Sequence, residues 1–519
     1  MNWIVSTEKN GKLQLVSASG VTGILPKGSF LTIEEGESKF ILRVEDSVQH
    51  ETFSPSPMII DMDLNPLEQD RACKNVLTAY RVQDYSTRTD GLIDYIKPQS
   101  VARLSNQAEI DLAMGNQKSG IPVFAASVQY NKNQILRDEA GNQITLRLPD
   151  DIFFHQMFLC GRTGSGKTVA AKYLAQYFVE KMDGAVLAIN VKDVDLLRMD
   201  QASKVQNPAV LNEWSQLGEI ERGIRNFTVY YPANTRFKDS QGVNEEIATR
   251  ISLNVRDLEP DALAGLLQNV SSIGAMNLPN IFRYWQKVYV PEKNGEYSFS
   301  GFVNYFTLGI EDGGFNTLNS RGEKLYVPLH KSTANNILRN LDFAVEFFDN
   351  EGSHFITEED ILQNGKLSVI DVANRNGKQF GSIVLRHLLR RIVEAKSSRQ
   401  SDVPVLIVID EVHSFYNMEA SAEALGDIDT ICRTGRSQKI GVILSSQNPQ
   451  DMPKGLESVI NSKIFFKSDS AKGKSMGLAI SSQELEGLQK GYAIGSIHDM
   501  SQVKVIKFPL AFAGVFEGE

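Results

Sequence analysis

The chain is poor in cysteine, with three residues, Cys73, Cys160 and Cys432, among 519. Cysteines so few and so far apart form neither a disulfide framework nor the paired spacing of a zinc site. They are typical of a protein of the reducing cytosol, so we predict a cytoplasmic location. Cys160 follows an apolar run and is expected to be a small buried residue.

Long hydrophobic runs are also missing. The most apolar long run, residues 403–409, is far shorter than the roughly 20 residues that a membrane span needs. Residues 1–6 have no basic leader and no long apolar region, so no secretory signal is expected. The sequence therefore predicts no membrane segment, and any membrane role would require a partner.

An excess of positive charge is absent as well. Lysine and arginine number 54 against 63 acidic residues, which gives a formal net charge of −9. This balance argues against a protein coated in basic surface for nucleic acid. A local basic pore or groove stays compatible with it, because net charge says nothing about the distribution of charge.

The first part of the chain, residues 1–145, carries a β pattern. Short apolar or alternating runs recur, and turn-rich segments such as 26–28 and 35–37 separate the early ones. This pattern predicts a small β-barrel or sandwich. Residues 134–137 and 144–147 flank Gly141 and Asn142, which indicates a hairpin before the next domain.

The remainder alternates between strand and helix patterns, which predicts an α/β fold with a mostly parallel sheet covered on both faces. Residues 251–350 are mainly helical in pattern and are interpreted as an insertion within this core. The predicted domains are a barrel over 1–145, a core over 146–250 and 351–505, the insertion, and a C-terminal tail over 506–519.

A complete phosphate-binding loop, G-x-x-x-x-G-K-T, spans residues 161–168 between a predicted strand and a predicted helix. Its glycines let backbone N–H groups turn toward phosphate oxygens, and the helix N-terminus adds partial positive charge. Lys167 can reach the β- and γ-phosphates, and the Thr168 hydroxyl can ligate Mg²⁺. The alternative is a glycine-rich turn without a ligand, which the flanking strand and helix disfavour. The predicted nucleotide-binding residues are Gly161, Thr163, Gly164, Ser165, Gly166, Lys167, Thr168 and Val169.

Two carboxylates, Asp410 and Glu411, follow an unbroken apolar strand pattern over residues 403–409. Open α/β sheets bind ligands at the carboxyl ends of their strands. Asp410 is the predicted Mg²⁺ residue, and Glu411 is predicted to orient and deprotonate the attacking water. An acidic pair in this place can also merely begin a loop or cap a helix.

Gln447 closes a further buried strand pattern, and its amide can position water near a γ-phosphate. A strand followed by an Asn-Pro turn is the competing interpretation. Between the last two strands, Arg433 and Arg436 lie three residues apart. A guanidinium is suited to phosphate, so either arginine can serve as a finger on a neighbour's γ-phosphate. Two solvated arginines at a helix end are the alternative.

These motifs together resemble the HerA–FtsK superfamily of P-loop motor ATPases, and their order and spacing resemble HerA in particular. His155, the stretch 491–495, the predicted barrel and the helical insertion strengthen the resemblance. It implies a RecA-like core that binds ATP and Mg²⁺, hexameric rings with ATP sites between subunits, and translocation of double-stranded DNA. It also implies a partner on the barrel face, a nuclease or a sirtuin-like subunit, and for some bacterial relatives a role in antiviral defence.

One segment departs from the family pattern. Many HerA proteins carry an aspartate–histidine–glycine type of segment after the second strand, where this chain has residues 190–195, Asn-Val-Lys-Asp-Val-Asp. The departure is more typical of a bacterial branch and weakens transfer of a repair role. An ATP-dependent assembly scaffold and a secretion or conjugation motor stay open as alternatives. Pore-loop candidates for DNA contact are Lys192, Arg198, Arg236, Lys238, Arg375 and Lys378.

Overall fold

A computed structural model of the chain describes residues 2–17, 23–50, 74–85, 90, 92–115, 119–192, 194–235, 237, 242–266, 272–293, 295–373, 377–415, 427–452, 456–468, 482–500 and 505–516. They fall into two compact units. The first unit comprises Met1–Ile152, Gly164–Gly166 and Ser462–Pro509, and the second comprises Phe153–Thr163, Lys167–Asn461 and Leu510–Glu519. The domain limits inferred from the sequence stay a prediction.

The first unit begins with a closed antiparallel barrel of six strands, in the order β1-β2-β5-β4-β3-β6. Side chains alternate along each strand, so Trp3 and Val5 of the first strand are buried between exposed neighbours. These residues join Phe40 and Leu77 in a continuous apolar interior. The predicted barrel is therefore confirmed. Its strands are β1 (Asn2–Lys9), β2 (Lys12–Ser17), β3 (Phe30–Glu35), β4 (Ser38–His50), β5 (Lys74–Tyr85) and β6 (Val101–Leu104).

A helix and three strands follow the barrel: α1 (Gln107–Ala113), β7 (Ile121–Gln129), β8 (Lys132–Ile135) and β9 (Thr145–Leu148). The predicted hairpin over 134–147 is only partly present. Its arms meet at the bridge between Arg137 and Gln143, but β8 and β9 both pair along β7. The reason is the length of β7: its residues 126–129 pair with β8, and its residues 121–124 pair with β9.

The second unit contains a parallel sheet in the order β16-β13-β12-β17-β11-β18-β19-β10. Its central strands are buried on both faces, which explains their continuous runs of aliphatic residues. This sheet confirms the predicted α/β class. Its strands are β10 (Met157–Cys160), β11 (Ala185–Asn190), β12 (Asn226–Pro232), β13 (Ala248–Ser252), β16 (His354–Phe355), β17 (Lys366–Asp371), β18 (Val405–Ile409) and β19 (Ile440–Ser446); the hairpin strands β14 (Phe315–Leu318) and β15 (Lys324–Val327) lie apart from it.

Helices connect these strands. Glycine-rich turns and capping side chains fix several of their ends, as where the Asn207 side chain caps the helix that Gly218 terminates in the left-handed conformation. The α-helices of the second unit are α2 (Lys167–Lys181), α3 (Pro208–Leu217), α4 (Ser272–Tyr284), α5 (Val290–Lys293), α6 (Phe299–Glu311), α7 (Lys331–Ala344), α8 (Glu358–Ile361), α9 (Gly377–Ser397) and α10 (Asp427–Thr434). Short 3₁₀ turns span Asp150–His155, Glu245–Ile247, Pro260–Leu266, Val345–Phe347, Val412–Ser414, Gly435–Gln438 and Pro449–Asp451, and a π-helix spans Trp285–Tyr289.

The segment between β13 and β16 is mainly helical, as its apolar spacing predicts, and it adds the antiparallel hairpin β14–β15. Aromatic side chains from α4 and α6 form its interior. Phe282 packs edge-on against Phe302 at 4.9 Å between ring centroids, and Phe306 stacks on Phe315 at 4.5 Å. Leu267 and Val270, which contribute to the sequence pattern here, lie outside the described residues.

The chain then returns to the first unit with β20 (Ser462–Phe465), α11 (Ser482–Glu486), β21 (Tyr492–Ser496) and β22 (Val505–Lys507). These strands run antiparallel in the order β20-β21-β22-β7. None of the described helices combines the length and apolarity required to cross a membrane.

Candidate functional site

The predicted motifs converge because neighbouring parallel strands end at the same edge of the sheet. Strand β18 lies between β11 and β19, with Ile409 in register with Ile189 on one side and with Leu444 on the other. Cys160, the last residue of β10, is in register with Ser446. The residues that follow these strands are therefore brought side by side, as the placement of ligands in open α/β sheets requires.

The phosphate-binding loop leaves β10 with the Gly161 N–H donating to the Ser446 carbonyl at 3.1 Å. Gly164 and Gly166 have φ of +78° and +99°, which a residue with a side chain rarely adopts. A Cβ at Gly166 would lie 2.8 Å from the Gly491 nitrogen, so glycine is also required there for space. Gly491, in the stretch noted for its resemblance to HerA, donates from its N–H to the Ser165 carbonyl at 3.1 Å.

Glu411 is the centre of the site. Its backbone is left-handed (φ 48°, ψ 57°), an uncommon conformation for a residue with a side chain. Its carboxylate is only 3% exposed, and Oε1 accepts a hydrogen bond from Gln447 Nε2 at 2.8 Å and another from Lys192 Nζ. Lys167 Nζ lies 3.8 Å from the same oxygen.

The environment of Glu411 keeps it ionised. Burial by itself would raise the pKa of this carboxyl, but hydrogen bonds from Lys192 and Gln447 and the charge of Lys167 outweigh that effect and lower the pKa below its ordinary value. The other oxygen, Oε2, accepts no hydrogen bond from the described residues, and His413 Nδ1 lies 3.6 Å from it. This buried oxygen therefore retains an unused capacity to accept a hydrogen bond.

Asp410 is buried beside Glu411. Its Oδ1 accepts hydrogen bonds from Ser445 Oγ at 2.7 Å and from the Glu411 N–H at 3.0 Å. Both contacts end on one oxygen and fix the carboxylate plane. Among the described residues, no hydrogen bond to the second oxygen is seen, and a carboxylate oxygen is an acceptor that a hydrated divalent cation requires.

The residues present fit a nucleotide with a divalent cation. The Ser165 hydroxyl is buried and has no hydrogen-bond partner among the described residues, which is unusual for a polar atom inside a protein. Lys167, whose side chain is 6% exposed, is the first residue of α2, where the helix N-terminus favours an anion. Thr168 and Val169 follow in the first turn of α2. Their predicted roles in binding stay predictions.

The chain is similar to known proteins of one family. The family model "Helicase HerA, central domain" matches residues 135–392. The DNA double-strand break repair helicase HerA of Sulfolobus acidocaldarius is 22% identical over 366 residues, which is 68% of this chain and 62% of that protein. These matches support a member of the HerA–FtsK superfamily of P-loop ATPases.

Other relatives are similarly distant. The DNA double-strand break repair helicase HerA of Saccharolobus solfataricus is 21% identical over 398 residues, 73% of this chain and 68% of that protein. Among solved structures, the plasmid coupling protein TrwB in complex with the non-hydrolysable GTP analogue GDPNP is 14% identical. It aligns with a TM-score of 0.46 over 72% of this chain and 89% of its own. The chain spans less than two thirds of the length of the Sulfolobus acidocaldarius relative.

The two arginines predicted as finger candidates differ in their surroundings. Arg433 lies in α10, where its Nε donates to both carboxylate oxygens of Asp429 at 2.9 Å. Arg436 follows in the 3₁₀ turn Gly435–Gln438 and is exposed. Within the described residues its side chain forms no hydrogen bond or ion pair. Neither arginine contacts the described site residues of its own chain.

The predicted DNA-contact candidates differ in the contacts that they make in the structure. Lys192 binds Glu411. The guanidinium of Arg198 lies 4.3 Å from the ring centroid of Phe516, and Lys378 is exposed near the start of α9. Arg236, Lys238 and Arg375 lie outside the described residues.

Several contacts in the site were not predicted from the sequence. Ser445 orients Asp410, Lys192 contacts Glu411, and Asn190 Nδ2 donates to Asp371 Oδ1 at 2.9 Å at the ends of β11 and β17. All of them stand at or just beyond the carboxyl end of a parallel strand. That position was the available signal, but it points to a contact only once the order of the strands is known.

Proposed function

We propose that this protein is an ATP-hydrolysing motor that assembles as a hexameric ring and translocates double-stranded DNA. One observation carries the proposal: three separate sequence signals meet at the Glu411 carboxylate. Lys167 comes from the phosphate-binding loop, Gln447 follows β19, and Glu411 itself follows β18. A glycine-rich turn without a ligand does not account for that convergence.

In this proposal the loop residues bind the phosphates of ATP, with Lys167 neutralising the charge of the β- and γ-phosphates. Thr168 and Asp410 hold Mg²⁺, which supplies charge neutralisation when bound. Glu411 orients and deprotonates the attacking water, because its ionised carboxylate has one oxygen without a hydrogen-bond partner in the described part of the chain. Gln447 holds the other oxygen and positions the base.

The DNA substrate is proposed from the family. The two relatives described above are named DNA double-strand break repair helicases. We propose that duplex DNA is also the substrate of this chain. We further propose that the protein is cytoplasmic and acts in antiviral defence with an effector partner, either a nuclease or a sirtuin-like subunit.

Duplex DNA is expected to accelerate ATP hydrolysis by this protein. Phosphate contacts dominate DNA affinity, so the stimulation is expected to fall steeply between about 50 and about 200 mM salt. Steady-state phosphate release with and without duplex DNA across that salt series measures the effect. A turnover that duplex DNA does not change at any salt concentration would contradict DNA translocation and leave an ATPase of another purpose.

Arg436 is expected to be the finger that completes a neighbour's site. Its side chain has no described partner, whereas Arg433 would first have to leave Asp429. Arg436→Ala is expected to lower ATP hydrolysis by about 10³-fold or more with nucleotide affinity largely retained. Arg433→Ala is the matched control and is expected to retain most of the turnover. Equal losses in the two variants would reject the choice of Arg436.

Mixing variants tests whether the arginine acts between subunits. Lys167→Ala and Arg436→Ala chains are each expected to be nearly inactive, but a mixed ring would contain interfaces at which an intact Lys167 faces an intact Arg436. Co-assembly is therefore expected to restore part of the hydrolysis. Light scattering of the same samples should report a hexamer. A monomeric mass with and without ATP, or no recovery in rings shown to be mixed, would refute the intersubunit site.

A further inference from the structure

One side of the phosphate-binding loop is covered by a segment from far along the chain. The Gly491 N–H donates to the Ser165 carbonyl at 3.1 Å, and the Gly491 carbonyl accepts from the Phe508 N–H at 3.0 Å. Phe508 directly follows β22. Gly491 therefore uses both of its backbone polar groups, one to hold the loop and one to be held by the end of a strand.

The contact between this segment and the loop is too close for a side chain on the loop. A Cβ at Gly166 would lie 2.8 Å from the Gly491 nitrogen and 3.1 Å from its Cα. Gly491 itself has a φ of +85°, in the left-handed region that favours glycine, but a Cβ there would meet the Phe508 carbonyl oxygen only at 3.8 Å. Gly166 is thus required for space, whereas Gly491 is required for its backbone conformation.

The direction of the Ser165 carbonyl decides where the next N–H group points. A trans peptide unit is planar, so a carbonyl that points out of the loop turns the N–H of Gly166 into the loop. Phosphate-binding loops depend on N–H groups that point inward together. Ser165 is buried, and a buried carbonyl without a donor is costly. The Gly491 N–H supplies that donor and stabilises the orientation that a phosphate requires.

We infer that Gly491 is a positioning residue for nucleotide binding, which holds the peptide unit between Ser165 and Gly166 with its N–H toward the phosphates. Gly491 is held in turn by Phe508, and the preceding strand β22 pairs with β7. The loop is therefore tied to a sheet of the first unit. This inference rests on the proposed function and adds a residue outside the loop motif on which affinity for nucleotide depends.

Gly491→Ala in the full chain tests the inference. The angle φ at residue 491 sets the direction of its N–H relative to its carbonyl, so an alanine that relaxes to negative φ cannot keep both hydrogen bonds. Affinity for a non-hydrolysable ATP analogue, measured by calorimetry, is expected to fall about five- to tenfold, which corresponds to one hydrogen bond. The kcat at saturating ATP is expected to change less than KM, because bound phosphates themselves orient the loop.

The matched control is Gly141→Ala. Gly141 has a nearly equal φ of +87°, and its N–H donates to the Asp138 carbonyl at 3.0 Å; among the described residues a Cβ there would have no neighbour within 4 Å. Both variants are expected to lose similar thermal stability, but only Gly491→Ala is expected to lose affinity. Equal affinities in the two variants would overturn the inference and leave the proposed function standing. If wild type binds no nucleotide, the proposed function is wrong and the inference is wrong with it.

A second variant separates position from charge. Lys490 is exposed, and its Cγ would lie 3.6 Å from a Cβ at Gly166, so its ammonium group offers a competing explanation. Lys490→Met keeps an unbranched side chain and removes the charge. Its affinity is expected to stay within about twofold of wild type, as for an ordinary surface substitution. A loss as large as that of Gly491→Ala would assign the effect to charge and reject the role of Gly491.

Hydrogen exchange gives a readout that does not require catalysis. Coupling between two events is reciprocal, so a contact that raises nucleotide affinity is itself stabilised by nucleotide to the same degree. Exchange of the Gly491 amide in wild type is expected to slow by about five- to tenfold when the ATP analogue saturates the protein, whereas the Gly141 amide keeps its rate. An unchanged rate at Gly491 with the analogue bound would contradict the inference.

Discussion

Lys167→Ala is expected to weaken nucleotide binding strongly and to remove nearly all hydrolysis. Lys167 lies in the phosphate-binding loop and its side chain is 6% exposed, so it acts in a site that largely excludes water. Truncation of one partner of a buried charge pair costs about 2 kcal/mol or more, which corresponds to about 30-fold in affinity. Loss of charge stabilisation during phosphoryl transfer lowers turnover by a further factor of about 10² to 10³. A fluorescent ATP analogue and phosphate release measure the two effects.

The fold is expected to survive this substitution. Glu411 retains its hydrogen bonds from Lys192 and Gln447 after Lys167 is removed, so no buried carboxylate is left without a partner. Lys181→Ala is the control, because Lys181 lies in the last turn of the same helix and is exposed. Undiminished turnover by Lys167→Ala, with thermal stability equal to that of the control, would overturn the assignment of the site.

The fold class could be predicted because its signals are local. Alternation in segments such as residues 2–5 and continuous apolar runs such as 405–409 reflect burial on one face or on both faces of a strand. Which strands pair with each other depends on the tertiary structure, so strand partners are harder to predict from local sequence patterns. The segment 123–128 was correctly predicted as a strand, but nothing local indicates that it pairs with β22, which is nearly 400 residues away.

The candidate site could be predicted where one motif contains the chemistry. The glycine spacing of residues 161–168 already specifies a cradle for phosphate, and Asp410 and Glu411 are identified by their position after a buried strand. Lys192 was considered only as a DNA contact, because its distance in sequence from Glu411, 219 residues, hides their pairing. The adjacency of β11 and β18 brings the two together. The proposal that favours Arg436 over Arg433 likewise depends on the Asp429 contact.

Glu411→Gln is expected to bind ATP and to hydrolyse it about 10² to 10⁴ times more slowly than wild type, the range that a positioned general base contributes. The amide is similar in shape to the carboxylate and can still accept from Gln447, so the geometry of the site is retained. It cannot take a proton from water. Single-turnover phosphate release measures the loss, and equilibrium binding of the nucleotide measures what is kept.

The matched control for Glu411→Gln is Asp451→Asn. Asp451 lies 3.6 Å from His413 Nδ1, as Glu411 does, but it accepts from the Ser446 hydroxyl and lies outside the predicted catalytic set. This control is expected to retain most of the turnover. If Glu411→Gln hydrolyses ATP as fast as wild type, the base is elsewhere. If wild type is itself as slow as Glu411→Gln while both assemble fully, ATP serves an assembly scaffold and the motor proposal is wrong, because a translocating ring needs the turnover that Glu411 is proposed to provide.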